Sequence, residues 1–391
     1  MEESMQSHQV DGVETIETGL RGVPVGYCTT SRVDPVKGLF YHLHPIHELA
    51  EWEPEAVIEY LFKGKEPDAA ELLAFKNDLI RRSRNSPDVL KQITKFDRRL
   101  DSMTLFSMAL LAMEMDQVEK GPDKYREDAL NIIARLPEVV ATLINHQLNS
   151  GPTPASKPEL GYMENFVHML NIPNKNTEQL THVMKLFNIM HYDHGGGNLS
   201  TFVGKCTSSG LASCFQSLSS AMNALAGPLH GGANRDCLAF LQSLLDVLGD
   251  DLSEASVEKE VRRILSEGGK IYGFGHAVLR VEDPRATVFF DYAKKHFSEN
   301  ALVKLALIFR EAGHRVLAEN EKIQNPNCNV DAISGTMLTA AGFPFAQFFT
   351  VLFGLARCVG ILMQIIYERL EARGGKGTPI MRPKYIYKGR S

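Results

Sequence analysis

The chain has 391 residues and a mass of 43.5 kDa, with 44% hydrophobic and 23% charged residues. This is ordinary globular usage; it excludes a disordered or fibrous class and predicts one large domain with a smaller one. A net charge of -5 gives no general attraction to nucleic acid, so any anionic ligand must be held by local basic residues.

The first twenty residues carry several acids, no Lys or Arg before Arg21, and no apolar core of a leader. That pattern predicts neither a secretory signal nor an Arg-rich transit peptide. Six cysteines (Cys28, Cys206, Cys214, Cys237, Cys328 and Cys358) show no CxxC pair and no metal-type spacing. They read as reduced, packed thiols of a soluble cytoplasmic protein. From Val23 to Leu43, Thr, Val, Tyr and Phe broken by Asp34-Pro35 and Gly38 predict a short hairpin or two. His42, His44, His47 and Glu48 lie close together, but Glu51 stands where a zinc-binding HExxH motif needs its second histidine, so no metal site is expected. Gly151 to Pro158 reads as a loop.

Beyond it helical spacing dominates. Leu238, Leu241, Leu244, Leu245 and Leu248 form one stripe; Val257, Val261, Ile264 and Leu265 form another, stopped by Gly268-Gly269. Phe348 to Ile366 is apolar enough to approach a membrane span, yet Arg357 at its middle and the glycines Gly354 and Gly360 predict a buried central helix. Gly374 to Gly377 separates the last helix from a tail carrying Arg382, Lys384, Lys388 and Arg390, which by itself reads as a solvated end.

Charge is conspicuously scarce from Ile323 to Ile366. Those 44 residues hold only Asp331 and Arg357, against about ten expected at average composition. Each would cost several kcal/mol in apolar surroundings unless paired or serving a ligand. Two readings stay open: a structural ion pair between them, or a carboxylate base beside an arginine that clamps an anionic substrate. Three histidines sit in glycine-rich turns: His194 in Asp-His-Gly-Gly-Gly-Asn, His230 in Gly-Pro-Leu-His-Gly-Gly-Ala-Asn and His276 in Gly-Phe-Gly-His-Ala-Val. Glycine lets a ligand approach the backbone closely. Asn234 is placed to cap a helix from Arg235 onward, whose positive end would keep His230 neutral and a hydrogen-bond donor. Arg285 follows an Asp283-Pro284 helix start, the wrong end for a cation unless an anion binds there; the alternative is a solvated surface arginine.

Taken in order, Asp193-His194 with Gly196-Gly197-Asn198 and Ser200, Gly227-Pro-Leu-His-Gly, Gly273-Phe-Gly-His-Ala-Val-Leu-Arg280, Asp283-Pro-Arg285, Asn329-Val-Asp331 with Ser334-Gly335, Phe353-Gly-Leu-Ala-Arg357 and Arg382-Pro-Lys384 resemble the citrate synthase family. The resemblance runs from Gly19 to the C-terminus. Two segments depart from the family pattern: Tyr41-His-Leu-His-Pro-Ile, and Gly195, where a glutamate is common.

The resemblance implies an all-α fold with a large helical domain (1–229 and 337–391), a smaller helical domain (230–336) and an active site in the cleft between them. It implies a Claisen-type condensation of acetyl-CoA with oxaloacetate, with no cofactor beyond the coenzyme A thioester, no metal and no membrane or nucleic-acid partner. His230, His276 and Asp331 are similar to the catalytic triad. His194, Arg285, Arg357 and Arg382 resemble the oxaloacetate ligands, supported by Asn198 and Ser200. Ile271, Gly273, Gly275 and Arg280 resemble the coenzyme A contacts. The family pattern also implies a homodimer in which Arg382 crosses to the neighbouring site. The alternatives are 2-methylcitrate synthase using propionyl-CoA, one methylene away, and an inactive helical scaffold or filament protein.

Overall fold

The computed structural model describes residues 19–387 except 21, 118–120, 122, 174, 175 and 386. The readings made on residues 1–18, Arg21, Lys388 and Arg390 lie outside the described residues.

The N-terminal hairpin forms as the turn chemistry predicts. Strands Ser31–Asp34, Gly38–Tyr41 and His44–Pro45 make one antiparallel sheet in sequence order, with Ser31 opposite Tyr41 and Asp34 opposite Gly38. Asp34 Oδ1 closes the first turn by accepting from the Val36 and Lys37 amides at 2.9 and 2.8 Å. Gly38 has φ +93°, and a Cβ there would lie 2.8 Å from Pro284 Cγ. Glycine is required because the hairpin rests directly on the start of the Pro284–His296 helix.

The remaining architecture is helical. The Phe349–Ile366 helix has every residue but Phe353 buried and packs against the helices Lys124–Leu148, Thr177–His191, Leu199–Ser209 and Cys214–Leu225. Its most apolar stretch is 94% buried in protein, which makes it the central core helix expected. Pro137 inside the Lys124–Leu148 helix removes one amide, and the Ile133 carbonyl left over accepts instead from the Tyr162 hydroxyl at 2.8 Å. Helices Ala233–Leu248, Glu254–Ser266, Pro284–His296, Ala301–Ala318 and Asp331–Ala340 pack on one another. The Glu254–Ser266 helix stops at Gly268, with φ +75°, and the Gly268 and Gly269 amides donate to Leu265 O and Ile264 O.

Two local expectations change. Asn234 does not cap its helix, which begins one residue earlier at Ala233 with Gly232 as the capping position. Gly374 to Gly377 is not a free linker: the Gly377 amide donates to Ala372 O at 3.0 Å, Thr378 to Glu368 O at 2.8 Å, and Met381 to Ser209 Oγ at 3.0 Å. The His42 and His44 rings pack in an aromatic cluster with Tyr60 and Trp52, and His44 pairs with Glu48 at 2.9 Å.

Candidate active site

Two of the three glycine-framed histidines, His230 and His276, are held in a defined tautomer by backbone amides. Asn198 caps the Leu199–Ser209 helix, its Oδ1 accepting from the Thr201 amide at 3.1 Å. The Ser200 amide, an unpaired donor in that helix's first turn, points at His230 Nε2 at 3.2 Å, with Ser200 Oγ 3.0 Å from the same nitrogen. An amide can only donate, so Nε2 accepts and the ring proton resides on Nδ1. Burial, reinforced by Arg357, brings His230 down to about 4. His230 is thus the neutral donor expected, but the helix that fixes it is Leu199–Ser209 rather than the one after Asn234.

His276 is fixed in the opposite sense. Its Nδ1 accepts from the Val278 and Leu279 amides at 3.0 and 2.9 Å, leaving the proton on Nε2. Burial and then Arg285 hold it at about 4. Its ring centroid is 5.2 Å from that of His194. Burial, then Arg285 and Arg357, hold His194 well below the usual histidine range, and its Nε2 is buried with no hydrogen-bond partner among the described residues. An orphaned ring nitrogen flanked by two guanidinium groups and a second imidazole is a ready contact for an anionic, oxygen-rich ligand.

Asp331 opens the Asp331–Ala340 helix, and its amide donates to Asn329 Oδ1 at 3.0 Å. Asn329 also ties this turn to the His276 loop, through its amide to Gly273 O (2.9 Å) and its side-chain Nδ2 to Gly275 O (3.0 Å). Burial pushes the Asp331 carboxyl up to about 6, against the pull of Arg285. The structural ion pair with Arg357 is not formed. Arg357 is 2% exposed, donates from Nε to His191 O at 3.1 Å and lies over the Phe353 ring, with no ion pair among the described residues. Burial lowers it to about 10.

Arg285 is neither solvated nor waiting for an outside anion alone. It is buried, and its Nε and Nη2 form a fork onto Asp283 Oδ1 and Oδ2 at 3.0 and 2.7 Å. The helix N-cap therefore supplies the counter-charge, and despite its own burial Asp283 is held at about 2 by that arginine.

Gly273 (φ +81°) and Gly275 (φ +82°) let the loop after Ile271 press against the start of the Asp331–Ala340 helix: a Cβ on Gly273 would lie 2.9 Å from Ala332 Cα. Arg280 Nη1 turns back onto the Val278 and Leu279 carbonyls at 3.0 and 2.9 Å, and its amide donates to Pro35 O of the hairpin. Arg382 is exposed and joins none of these residues. Gly195 has φ +74° and open space around it, so backbone conformation rather than crowding favours glycine there.

Sequence reasoning gave Asp283 only as a cap and passed over His191 and Gln364. His191 presents its carbonyl to Arg357, and Gln364 Nε2 donates to Asp193 Oδ1 at 2.9 Å. Gln364 is one of three polar residues, with Thr350 and Arg357, on a helix that is apolar elsewhere, and that is its one readable signal.

A profile described as citrate synthase, C-terminal domain, matches residues 19–384. The chain belongs to the citrate synthase family. Citrate synthase 4, mitochondrial, of Arabidopsis thaliana is 33% identical over 96% of this chain and 82% of its own length. The peroxisomal citrate synthase of Saccharomyces cerevisiae is 33% identical over 95% and 84%. Among solved structures, the ternary complex of carboxymethyl coenzyme A and oxaloacetate with citrate synthase from Thermoplasma acidophilum superposes with a TM-score of 0.83, at 26% identity over 96% of this chain and 97% of that one. The likeness covers the full helical architecture.

These relatives overturn the cytoplasmic expectation. They are named for mitochondria and peroxisomes, so the similarity points to an organelle. Buried, free cysteines separate reducing from oxidising compartments but cannot tell one reducing compartment from another.

Proposed function

We propose that this chain condenses acetyl-CoA with oxaloacetate and hydrolyses the resulting thioester to citrate and coenzyme A. The observation that carries the reading is the combination of two neutral imidazoles of fixed and opposite tautomer with a carboxylate raised to about 6. Taking a proton from the methyl of a thioester with a carboxylate faces a mismatch on the order of 15 pKa units, roughly 20 kcal/mol, unless the enolate is stabilised as it forms. Asp331 removes the proton, and its raised basicity narrows the mismatch. His230 Nδ1–H donates to the thioester oxygen. His276 Nε2–H donates to the oxaloacetate carbonyl that becomes a hydroxyl. His194, Arg285 and Arg357 orient the two carboxylates of oxaloacetate. Ile271, Gly273, Gly275 and Arg280 face coenzyme A. The reading needs no cofactor beyond the thioester. The large part (1–229, 337–391) binds oxaloacetate first, and closure of residues 230–336 then brings His276 and Asp331 onto it and excludes water.

Thiol release with oxaloacetate and either acetyl-CoA or propionyl-CoA tests the substrate. A higher kcat/KM with propionyl-CoA would make the chain a 2-methylcitrate synthase, a reading that relatives at 33% identity named citrate synthases do not favour. The same assay, run from pH 4.5 to 8 at saturating oxaloacetate, should show one acid limb near pH 6. Below it kcat/KM for the acyl-CoA falls about tenfold per unit as Asp331 is protonated. His230 and His276, at about 4, stay neutral through that window and add no second limb above pH 5.

The homodimer and the role of Arg382 belong to the same proposal. The tail is pinned to the Leu199–Ser209 helix at Met381, and Arg382 next to it is exposed, free to reach a neighbour's site. Asp331→Asn and Arg382→Ala should each be nearly inactive. Refolding the two together should restore up to about a quarter of wild-type activity per site, because each mixed dimer contains one site with both residues intact. A refolded mixture as inactive as its parents, with mixed dimers confirmed by mass, would place Arg382 in its own chain's site.

A further inference from the structure

Asp193 has no solvent exposure and makes no ion pair among the described residues. Isolated carboxylates are costly to bury, and this one is satisfied by four neutral donors. They are the Thr30 hydroxyl, the Ser31 hydroxyl at 2.8 Å, the Gln364 amide at 2.9 Å and the peptide N–H of His194 at 2.9 Å. The Asp193 amide itself donates to the Tyr41 hydroxyl at 3.0 Å. The four donors come from three parts of the chain, Thr30 and Ser31 both from the hairpin, so the carboxylate ties the hairpin, the central helix and the His194 turn together at one point. Ser31 Oγ and Gln364 extend the grip to Gly195, through its amide at 2.8 Å and its carbonyl at 3.2 Å.

The central helix is pressed onto this turn. The Gly360 amide donates to Tyr192 O at 3.0 Å, and a Cβ on Gly360 would lie 2.6 Å from Asp193 Cβ. Three residues earlier, one turn along the same helix, Arg357 donates to His191 O. The 191–195 turn therefore runs along the face that carries Arg357, and Asp193 is the carboxylate that this arginine faces.

We propose that Asp193 is a positioning residue of the oxaloacetate pocket, holding the His194 peptide in place and serving as the fixed counter-charge of Arg357. This rests on the reading that His194 and Arg357 bind oxaloacetate. Arg357 is faced by Asp193, Tyr41, Arg285 and Cys358, with the imidazoles of His191, His194 and His230 around it. Asp193 is the carboxylate in that set.

The test is the oxaloacetate KM between pH 7 and 10 in wild type, Asp193→Asn, Gln364→Leu and Arg357→Leu. Wild type should hold its KM to about pH 9 and lose affinity as Arg357 begins to titrate near 10. Asp193→Asn keeps the size of the side chain and removes its charge, so the loss should begin about one pH unit lower, giving a KM about fivefold above wild type at pH 10. Its kcat at saturating oxaloacetate and its acyl-CoA KM should stay within a few-fold. Gln364→Leu keeps the carboxylate and removes one of its donors; its KM should rise at every pH with the limb unmoved. A common alkaline limb in wild type and Asp193→Asn would overturn the proposal while Arg357→Leu still loses affinity. Should Asp193→Asn fail to fold, an unchanged KM in Gln364→Leu would overturn the positioning role. An unchanged KM in Arg357→Leu would remove the pocket assignment itself, and this proposal with it.

Discussion

Replacing Asp331 by asparagine should lower kcat by about a thousandfold or more while leaving the oxaloacetate Kd within a few-fold of wild type. The carboxyl is the group whose basicity burial raises, to about 6, and proton abstraction by a positioned base is worth about a hundred- to ten-thousandfold. Loss of the proton acceptor also leaves His230 with no enolate to stabilise, so the effect should lie at the upper end. The proposed oxaloacetate ligands are other residues, and the asparagine still fits the turn, because the contact to Asn329 is made by the backbone amide. Calorimetric titration with oxaloacetate beside turnover measurements separates the two quantities. Turnover within a few-fold of wild type would remove Asp331 as the base.

The same substitution should raise stability at neutral pH. A carboxyl raised from 3.8 to about 6 in the folded state penalises folding once it is ionised, by up to about 3 kcal/mol above pH 6, and by nothing below about pH 4, where it is protonated in both states. Denaturant unfolding should therefore show Asp331→Asn more stable than wild type at pH 8, with the gap closing on acidification. Such a trade of stability for function is common at active sites.

Arg357→Leu should weaken oxaloacetate binding by about 2 to 5 kcal/mol, some thirtyfold to several thousandfold. The arginine is 2% exposed, has no carboxylate within ion-pairing distance among the described residues, and keeps its charge although burial lowers it to about 10. A charge held at that cost with no ion pair to the protein, Asp193 facing it only beyond bonding distance, is explained by a ligand's carboxylate. Leucine is close enough in volume for an apolar core and should fold, whereas lysine should rescue poorly because it lacks the planar fork. Calorimetry with oxaloacetate checks both variants. An affinity equal to wild type would mean that Arg357 serves the core alone.

Much of this protein was readable from its chain. The Leu238 and Val257 stripes gave their helices, and Gly268-Gly269 gave a stop, because these are local effects of spacing and backbone freedom. The isolation of Asp331 and Arg357 in an apolar stretch marked both as special, since burial of a charge is costly wherever it occurs. The order of the glycine-framed histidine motifs was enough to name the family that the profile and the relatives then gave.

What the tertiary structure decided was which groups meet. Asp331 and Arg357 could equally have paired with each other, and the choice between them rested on distances that no spacing of 26 residues encodes. Arg285 needed Asp283 as an ion-pair partner rather than only a cap, and whether an N-cap carboxylate folds back onto a side chain in the first turn is a matter of rotamer and burial. His230 took its tautomer from the Ser200 amide, thirty residues upstream, and not from the helix that follows it. Asp193 gathered donors from Thr30, Ser31 and Gln364, separated by up to 171 residues. Periodicity and turn chemistry act between neighbours in sequence, whereas protonation states and charge partners depend on neighbours in space, which only the packing of the helices brings together.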